Sequence, residues 1–317
     1  MSPKKYVDRM VDSHKQMFGE APRTNMQSPL EKGDHPELDI SELLDATGRA
    51  QHQSLIGSLH WAISLGRFDI ASAAVMTLSS FRALPRRGHL ERAKRIVGYL
   101  AKMKDANLKF MTREPDCSDM PIPMHCWEKT VCGEVKEETP NDAPRPLGNA
   151  ATLTHCADAN LMHDLLSGRS VNGMLHFANQ STIDWHCKKQ GSTETATHGS
   201  EFVAAKNCTE QIQDLCVALR YLGAPIRGKS CMSGDSKLVA DSSIIPHARM
   251  QKRHNILSFH KVREQISAKT LAFIFLPGHL NPADLLSKHW GCSDAWDLLQ
   301  PMLFDHEGKK QKDATSQ

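Results

Sequence analysis

Apolar residues recur at helical spacing through most of the first hundred positions. In 5–18, Val7, Met10, Val11, His14, Met17 and Phe18 share one face, and Gly19 supplies a stop. Residues 20–48 then read as a loop, carrying Pro22, Pro29 and Pro36. Two helical faces follow: Leu55, Leu59, Ala62 and Ile63 in 52–65, then Ile70, Ala73, Ala74, Leu78 and Phe81 in 69–82. Pro85 breaks the pattern before a helix over 88–104, with Leu90, Ala93, Ile96, Val97 and Leu100 spaced for burial. The spacing makes residues 1–112 a mostly helical segment.

The period changes after residue 150. Residues 153–159 read as a strand, Val171, Gly173, Leu175 and Phe177 alternate along a second, and Ile183, Trp185 and Cys187 mark a third. A long helix is predicted over 199–222, with Phe202, Ala205, Ile212, Leu215, Leu219 and Leu222 inward and Gly223 as its stop. A short strand ends near Asp235, a helix covers about 254–267, and 271–277 is a buried strand. Asn281 and Pro282 open a last helix as N-cap and first helical residue. The order β-β-β-α-β-α-β-α predicts a mixed sheet flanked by helices over 151–292. Between the two parts, 113–150 is rich in proline and acids and reads as an irregular connector; 293–317 reads as a frayed tail.

Composition adds exclusions. A formal net charge of +3 is too small to diagnose a nucleic-acid binder by itself. Arg86, Arg87, Arg92, Lys94, Arg95, Lys102 and Lys104 nevertheless gather in one stretch, either a stripe that tracks phosphates or a helix face solvated by water. Nine cysteines are scattered without a CxxC pair, and His125, Cys126 and Cys132 fit no zinc spacing. Free thiols in a reducing compartment are expected. No apolar run reaches the roughly 18 residues of a membrane span, and no apolar segment follows the N-terminal lysines. An intracellular protein, cytoplasmic or nuclear, with no membrane partner is expected.

The chemistry lies in four acids, Asp158, Glu201, Asp235 and Asp284, placed where strand and helix patterns allow convergence. Singly, each has a plain role. Asp158 ends a strand, Glu201 and Asp284 suit first helical turns, and Asp235 with Ser236 suits a cap. Together, so many carboxylates at one point require cations, and hard oxygen ligands select Mg²⁺ or Mn²⁺ over Zn²⁺.

Several motifs, in one order, resemble the C-terminal part of copia-type retrotransposon polyproteins: the end of reverse transcriptase followed by ribonuclease H. SLIGSLHWAISLGRFDIASAA at 54–74 and HLERAKRIVGYL at 89–100 resemble the reverse transcriptase end. ADAN at 157–160, GRSVNG at 168–173, STIDWHCKKQ at 181–190, GSEFVAA at 199–205, GDS at 234–236, RHNILSFHKVRE at 253–264 and NPADLLSK at 281–288 resemble ribonuclease H. The resemblance implies an α/β ribonuclease H-like mixed sheet preceded by a thumb-like helical remainder. It puts Asp158, Glu201, Asp235 and Asp284 at the family's metal-binding acids, holding two Mg²⁺ (or Mn²⁺) about 4 Å apart. His279, in PGHLNPAD, stands where such enzymes carry a histidine that assists proton transfer or product release. The implied partner is an RNA–DNA hybrid, whose RNA strand is cut. Arg249, Lys252, Arg253 and His254 are candidates for its backbone, as are Arg87, Lys94 and Arg95. Asn160, Gly199 and Ser200 depart from the family's usual residues.

The chain has no Asp-Asp pair, so DNA synthesis is not expected without the reverse transcriptase portion as a further partner. The alternative to a nuclease is a catalytically silent, nucleic-acid-binding relic of a retroelement; the complete acid set favours the enzyme.

Overall fold

A computed structural model describes residues 3–78, 81–116, 125–127, 130, 141–250, 253–290 and 292–304. The chain divides into two units. One comprises Met1–Lys109, Asp164–Ser167 and Lys288–Gln317, and the other Phe110–His163 and Gly168–Ser287.

The first unit is helical, as its periodicity predicts. Helix α1 (Lys4–Phe18) buries Val7, Met10 and His14, and ends where Gly19, at φ 74°, returns its N–H to the Lys15 carbonyl. Helix α2 (Ala46–Ser64) begins ahead of the expected residue 52. Its cap is Asp45, whose carboxylate accepts from the Gly48 N–H at 2.7 Å. A 3₁₀ turn, Phe68–Ile70, leads into α3 (Ala71–Leu78), and α4 (Arg87–Lys102) buries Leu90, Ala93, Ile96, Val97 and Leu100. Within this core Arg67 is fully enclosed. It forms a fork with Asp69 at 2.9 and 2.7 Å and donates to the Met103 carbonyl at 3.0 Å. A buried guanidinium is tolerable only with partners of that quality.

The second unit is built on a five-stranded sheet in the order β3-β2-β1-β4-β5. Its strands are β1 (Leu153–Asp164), β2 (Arg169–Ala178), β3 (Ser181–Lys189), β4 (Ser230–Gly234) and β5 (Leu271–Phe275). β2 and β3 run antiparallel, while β4 is parallel to both β1 and β5, so the sheet is mixed. Helices α5 (Thr197–Tyr221), α6 (Lys237–Ile244), α7 (Ile256–Ser267) and α8 (Asp284–Ser287) complete the unit. The mixed α/β architecture is the expected one. Helix α6, capped by Ser236 on the Val239 N–H at 3.4 Å, is an addition to the expected order.

Alternation along the strands decides which helix covers which face. Leu153, Ala157 and Met174 pack with Phe202, Ala205, Ile212, Phe259 and Val262 of α5 and α7. Gly173, the neighbour of Met174, points the other way. A Cβ there would lie 2.4 Å from the Ala283 carbonyl oxygen and 2.8 Å from the Ser287 nitrogen. The glycine therefore lets α8 approach the face opposite α5. Both faces are covered, which explains the nearly continuous burial of β1 and β2.

The described parts of 113–150 contain no α-helix or named strand. Residues 117–124, 128–129 and 131–140 lie outside the described residues. Trp127 is buried under the Arg263 guanidinium, 4.8 Å above its ring. The tail reading needs correction: residues Cys292–Leu303 form helix α9, with Ala295, Leu299 and Leu303 buried. The polar composition of 305–317, which lie outside the described residues, had masked that apolar spacing. α9 is tied into the first unit by N–H bonds from Asn107 to Leu303 and from Lys109 to Met302. Among the described residues no helix is long and apolar enough to cross a membrane. Cys126, Cys156, Cys187, Cys208, Cys216 and Cys231 are free thiols.

Candidate metal centre

The parallel register of β1 and β4 pairs Ala157 with Gly234, so Asp158 and Asp235 follow side by side. Ala157 belongs to the core under α5, and Asp158 therefore points to the α8 face. There it meets α8: the Ser287 hydroxyl donates to Asp158 Oδ2. Asp284 stands one turn earlier on the same short helix. The outcome is a group of three carboxylates, Asp158, Asp235 and Asp284, each offering an oxygen within 4.8 Å of the others. Asp158 is buried, and Asp235 and Asp284 are half-buried.

Asn281 fixes this arrangement from both sides. It is fully buried. Its amide donates to the Ala157 carbonyl at 3.0 Å, and its Oδ1 accepts from the Ala283 N–H at 3.1 Å. One side chain thus caps the turn into α8, as its place before Pro282 predicted, and fastens that turn beside Asp158. Gly278 packs against the third acid, since a Cβ there would lie 3.2 Å from Asp235 Oδ2. His279 follows directly, exposed on the 3₁₀ turn Gly278–Leu280.

Three negative charges confined to under 5 Å repel strongly at any reasonable effective dielectric. Oxygen donors at that spacing fit a hard divalent cation of the Mg²⁺ or Mn²⁺ class. Cys156, the nearest soft donor in sequence, is a poor competitor. Burial pushes its thiol up to about 11, and it accepts a hydrogen bond from Ser233.

Glu201 is placed differently. Expected in a first helical turn, it instead lies one turn into α5, which begins at Thr197; it is buried at 7% exposure and is not a member of the three-carboxylate group. It follows directly on the first turn of α5, the helix that covers the face opposite α8. Gln190 sets that turn, donating to the Ser200 carbonyl at 2.9 Å and to Asn172 Oδ1 at 2.6 Å.

The basic residues fall into two sets. In the first unit, Lys94 pairs with Glu91 and Arg95 with Glu31, both at 3.0 Å, whereas Arg87 is exposed at the start of α4. Arg92 is held by Asp34 and Asp39 at 2.8 and 2.6 Å. Arg92 and Arg95 of the basic stripe are thus matched by acids from residues 31–39, and Lys94 by Glu91 of its own helix. In the second unit Arg249 and Arg253 are exposed, and Lys252 lies outside the described residues.

Sequence reasoning missed Ser287, Gly173 and Gln190. Ser287 had a signal, standing one helical turn after Asp284 in NPADLLSK. Gly173 offered another, a glycine inside a strand pattern, which marks close approach of backbone.

No protein-family profile matches the chain. Sequence relatives exist among curated proteins. The chain is 23% identical over 253 residues to the retrovirus-related Pol polyprotein from transposon RE1 of Arabidopsis thaliana, covering 80% of this chain and 15% of the polyprotein. It is 22% identical over 288 residues to the corresponding polyprotein from transposon TNT 1-94 of Nicotiana tabacum, covering 91% of this chain and 19% of that one. The chain therefore spans less than a fifth of the length of these relatives. Among solved structures it is similar to the N-terminal ribonuclease H domain of a Mycobacterium tuberculosis protein: TM-score 0.34, 15% identity, 48% of this chain and 98% of that one. It is also similar to LC11-RNase H1 crystallised with an RNA/DNA hybrid: TM-score 0.35, 16% identity, 43% and 93% covered. The class is thus an α/β protein with a mixed sheet and a three-carboxylate cluster. Its homologues are retrovirus-related Pol polyproteins of plant transposons, of the copia type.

Proposed function

We propose that the second unit is a metal-dependent endonuclease that cuts the RNA strand of RNA–DNA hybrids, as part of a retrotransposon Pol polyprotein. The observation that carries this reading is the convergence of Asp158, Asp235 and Asp284 within 4.8 Å. The resemblance of its motifs to ribonuclease H supports the hybrid as substrate, and similarity to Pol polyproteins of plant transposons supports the retroelement setting.

In this reading Asp158, Asp235 and Asp284 hold the cation, with Glu201 completing the set for a second ion. Divalent ions bound there supply an activated water and offset charge on the departing 3′ oxygen. The protein's own contribution is placement. Ser287 fixes one oxygen of Asp158, and Asn281 locks α8 beside it. His279 sits at the rim as an exposed group able to move a proton near Asp235. Arg249 and Arg253 meet phosphates of the hybrid, together with Lys252 and, in the first unit, Arg87, Lys94 and Arg95.

The test is cleavage of a labelled RNA–DNA hybrid with Mg²⁺ and with chelator. Cutting is expected with Mg²⁺ alone and is expected to fall at least a hundredfold in Asp235→Asn. Cutting that survives the chelator, or equals wild type in Asp235→Asn, sinks the proposal. One observation favours a binding relic instead: Glu201 stands outside the group of three. Glu201→Gln separates the readings, because a nuclease that uses Glu201 loses cutting but keeps hybrid binding.

A further inference from the structure

A second constellation lies on the turn between β3 and α5. Glu194 is buried, its side chain 4% exposed, yet it carries a carboxylate. Its Oε2 lies 3.2 Å from Nε2 of His254, and its Oε1 accepts from the Ser192 hydroxyl at 3.4 Å. The His254 side chain is 52% exposed, so one edge of the ring is anchored while the other faces solvent. The space for Glu194 is provided by Gly199 in the first turn of α5. A Cβ there would lie 2.4 Å from Glu194 Oε2 and 2.7 Å from Asn255 Nδ2. Asn255 is 1% exposed, and its Nδ2 has no hydrogen-bond partner among the described residues.

We propose that Glu194 is a positioning residue that orients His254 as a contact for a backbone phosphate of the nucleic acid. The inference rests on the hybrid-cutting reading and deepens it. A carboxylate is costly to bury unless it is paired, and the pairing here uses a surface histidine rather than an interior group. With Nε2 committed to Glu194, the imidazolium form has one remaining N–H, at Nδ1, to give to an anion. Arg253, the next residue, is also exposed and adds charge on the same turn. Gly199 is two residues before Glu201, so the same packing ties the phosphate contact to the turn that carries the fourth acid.

The test uses the full chain, a labelled RNA–DNA hybrid and fluorescence anisotropy in chelator, across a salt series. His254→Ala is expected to weaken binding about tenfold and to reduce the slope of log affinity against log salt by roughly one. His254→Lys, which keeps a cation without the ring, is expected to restore most of both. Glu194→Gln, which keeps the volume but not the charge, is expected to weaken binding less than His254→Ala. In Mg²⁺, the His254→Ala effect falls mainly on KM. If the wild type cuts the hybrid while His254→Ala binds with unchanged affinity and salt slope, the phosphate contact is wrong and the nuclease reading stands. A wild type that neither binds nor cuts the hybrid overturns both.

Discussion

Gly173 and Ser287 carry more of the candidate centre than their size suggests. Any side chain at Gly173 meets the backbone of α8, not the flexible end of a neighbour, so the helix has to move. Gly173→Ala is therefore expected to destabilise the second unit by about 1–3 kcal/mol through overpacking. It should also weaken Mg²⁺ binding, read as a smaller rise in melting temperature on adding the ion. An unchanged rise would show that α8 does not set the spacing of the acids. Ser287→Ala makes a finer cut. It removes one hydrogen bond to a buried carboxylate, at a cost of about 1.5–3 kcal/mol without metal. Added Mg²⁺ should recover part of that loss; equal loss with and without the ion would separate Ser287 from the metal site. Asp235 and Asp284 were legible because one follows a strand and the other opens a helix; Asp158, expected at a strand end, lies inside β1, and Glu201 lies one turn into α5. The place of Ser287 one turn after Asp284 was a signal, but its bond to Asp158 was not legible, because that partner is 129 residues away and only the fold brings them together.

At the scale of elements, periodicity found helix α5 and the face it buries, with Phe202, Ala205 and Ile212 in the core, but Leu222, expected inward, is exposed just past the helix end at Tyr221. The first turn of α5 is braced by Gln190 on the Ser200 carbonyl and by Glu194 in the space beside Gly199. Gly199→Ala tests the brace. In an ordinary helix interior, alanine stabilises relative to glycine by about 1 kcal/mol. Here the new methyl collides with the Glu194 carboxylate, so the single change is expected to destabilise. In the Glu194→Ala background the closest contact is gone and only the Asn255 amide, at 2.7 Å, still has to give way, so the same change should destabilise less. A double-mutant cycle by denaturant unfolding reads this coupling directly. Purely additive effects would mean that Glu194 does not occupy the space the glycine leaves. The same contrast between local and distant information explains two differences along the chain. The start of α2 depends on an Asp45 cap, and α9 on apolar spacing beside a polar tail. The pairing of the α4 cations with Asp34, Asp39 and Glu31 depends on how a loop folds back, which no local pattern records.

Across the whole molecule, histidines have been buried in their neutral form. In the first unit, burial and the neighbouring His89 push His52 down to about 4, and neither ring nitrogen has a partner among the described residues. In the second, burial holds His155 well below its ordinary value, with His176 beside it adding to the effect. Burial lowers His176 as well. The two rings share an Nδ1–Nδ1 hydrogen bond of 2.8 Å, and His176 Nε2 meets Gln211 Oε1 at 2.9 Å. An amide oxygen only accepts, so His176 carries its proton on Nε2, and His155 Nδ1 donates to His176 Nδ1. A proton added to either ring leaves two N–H groups facing each other or a charge without water. The sign of the consequence follows from linkage. The unfolded chain takes up protons near pH 6.5 and the folded one does not, so stability is greatest above that pH and falls as the solution is acidified. For His52 alone, a fall from 6.5 to about 4 corresponds to roughly 3 kcal/mol lost by pH 4. His52→Leu should flatten that slope, measured as urea midpoints between pH 7 and pH 4, while the His155–His176 contribution remains. An unaltered slope in His52→Leu would mean that this ring accepts a proton in the folded state as readily as in the unfolded one.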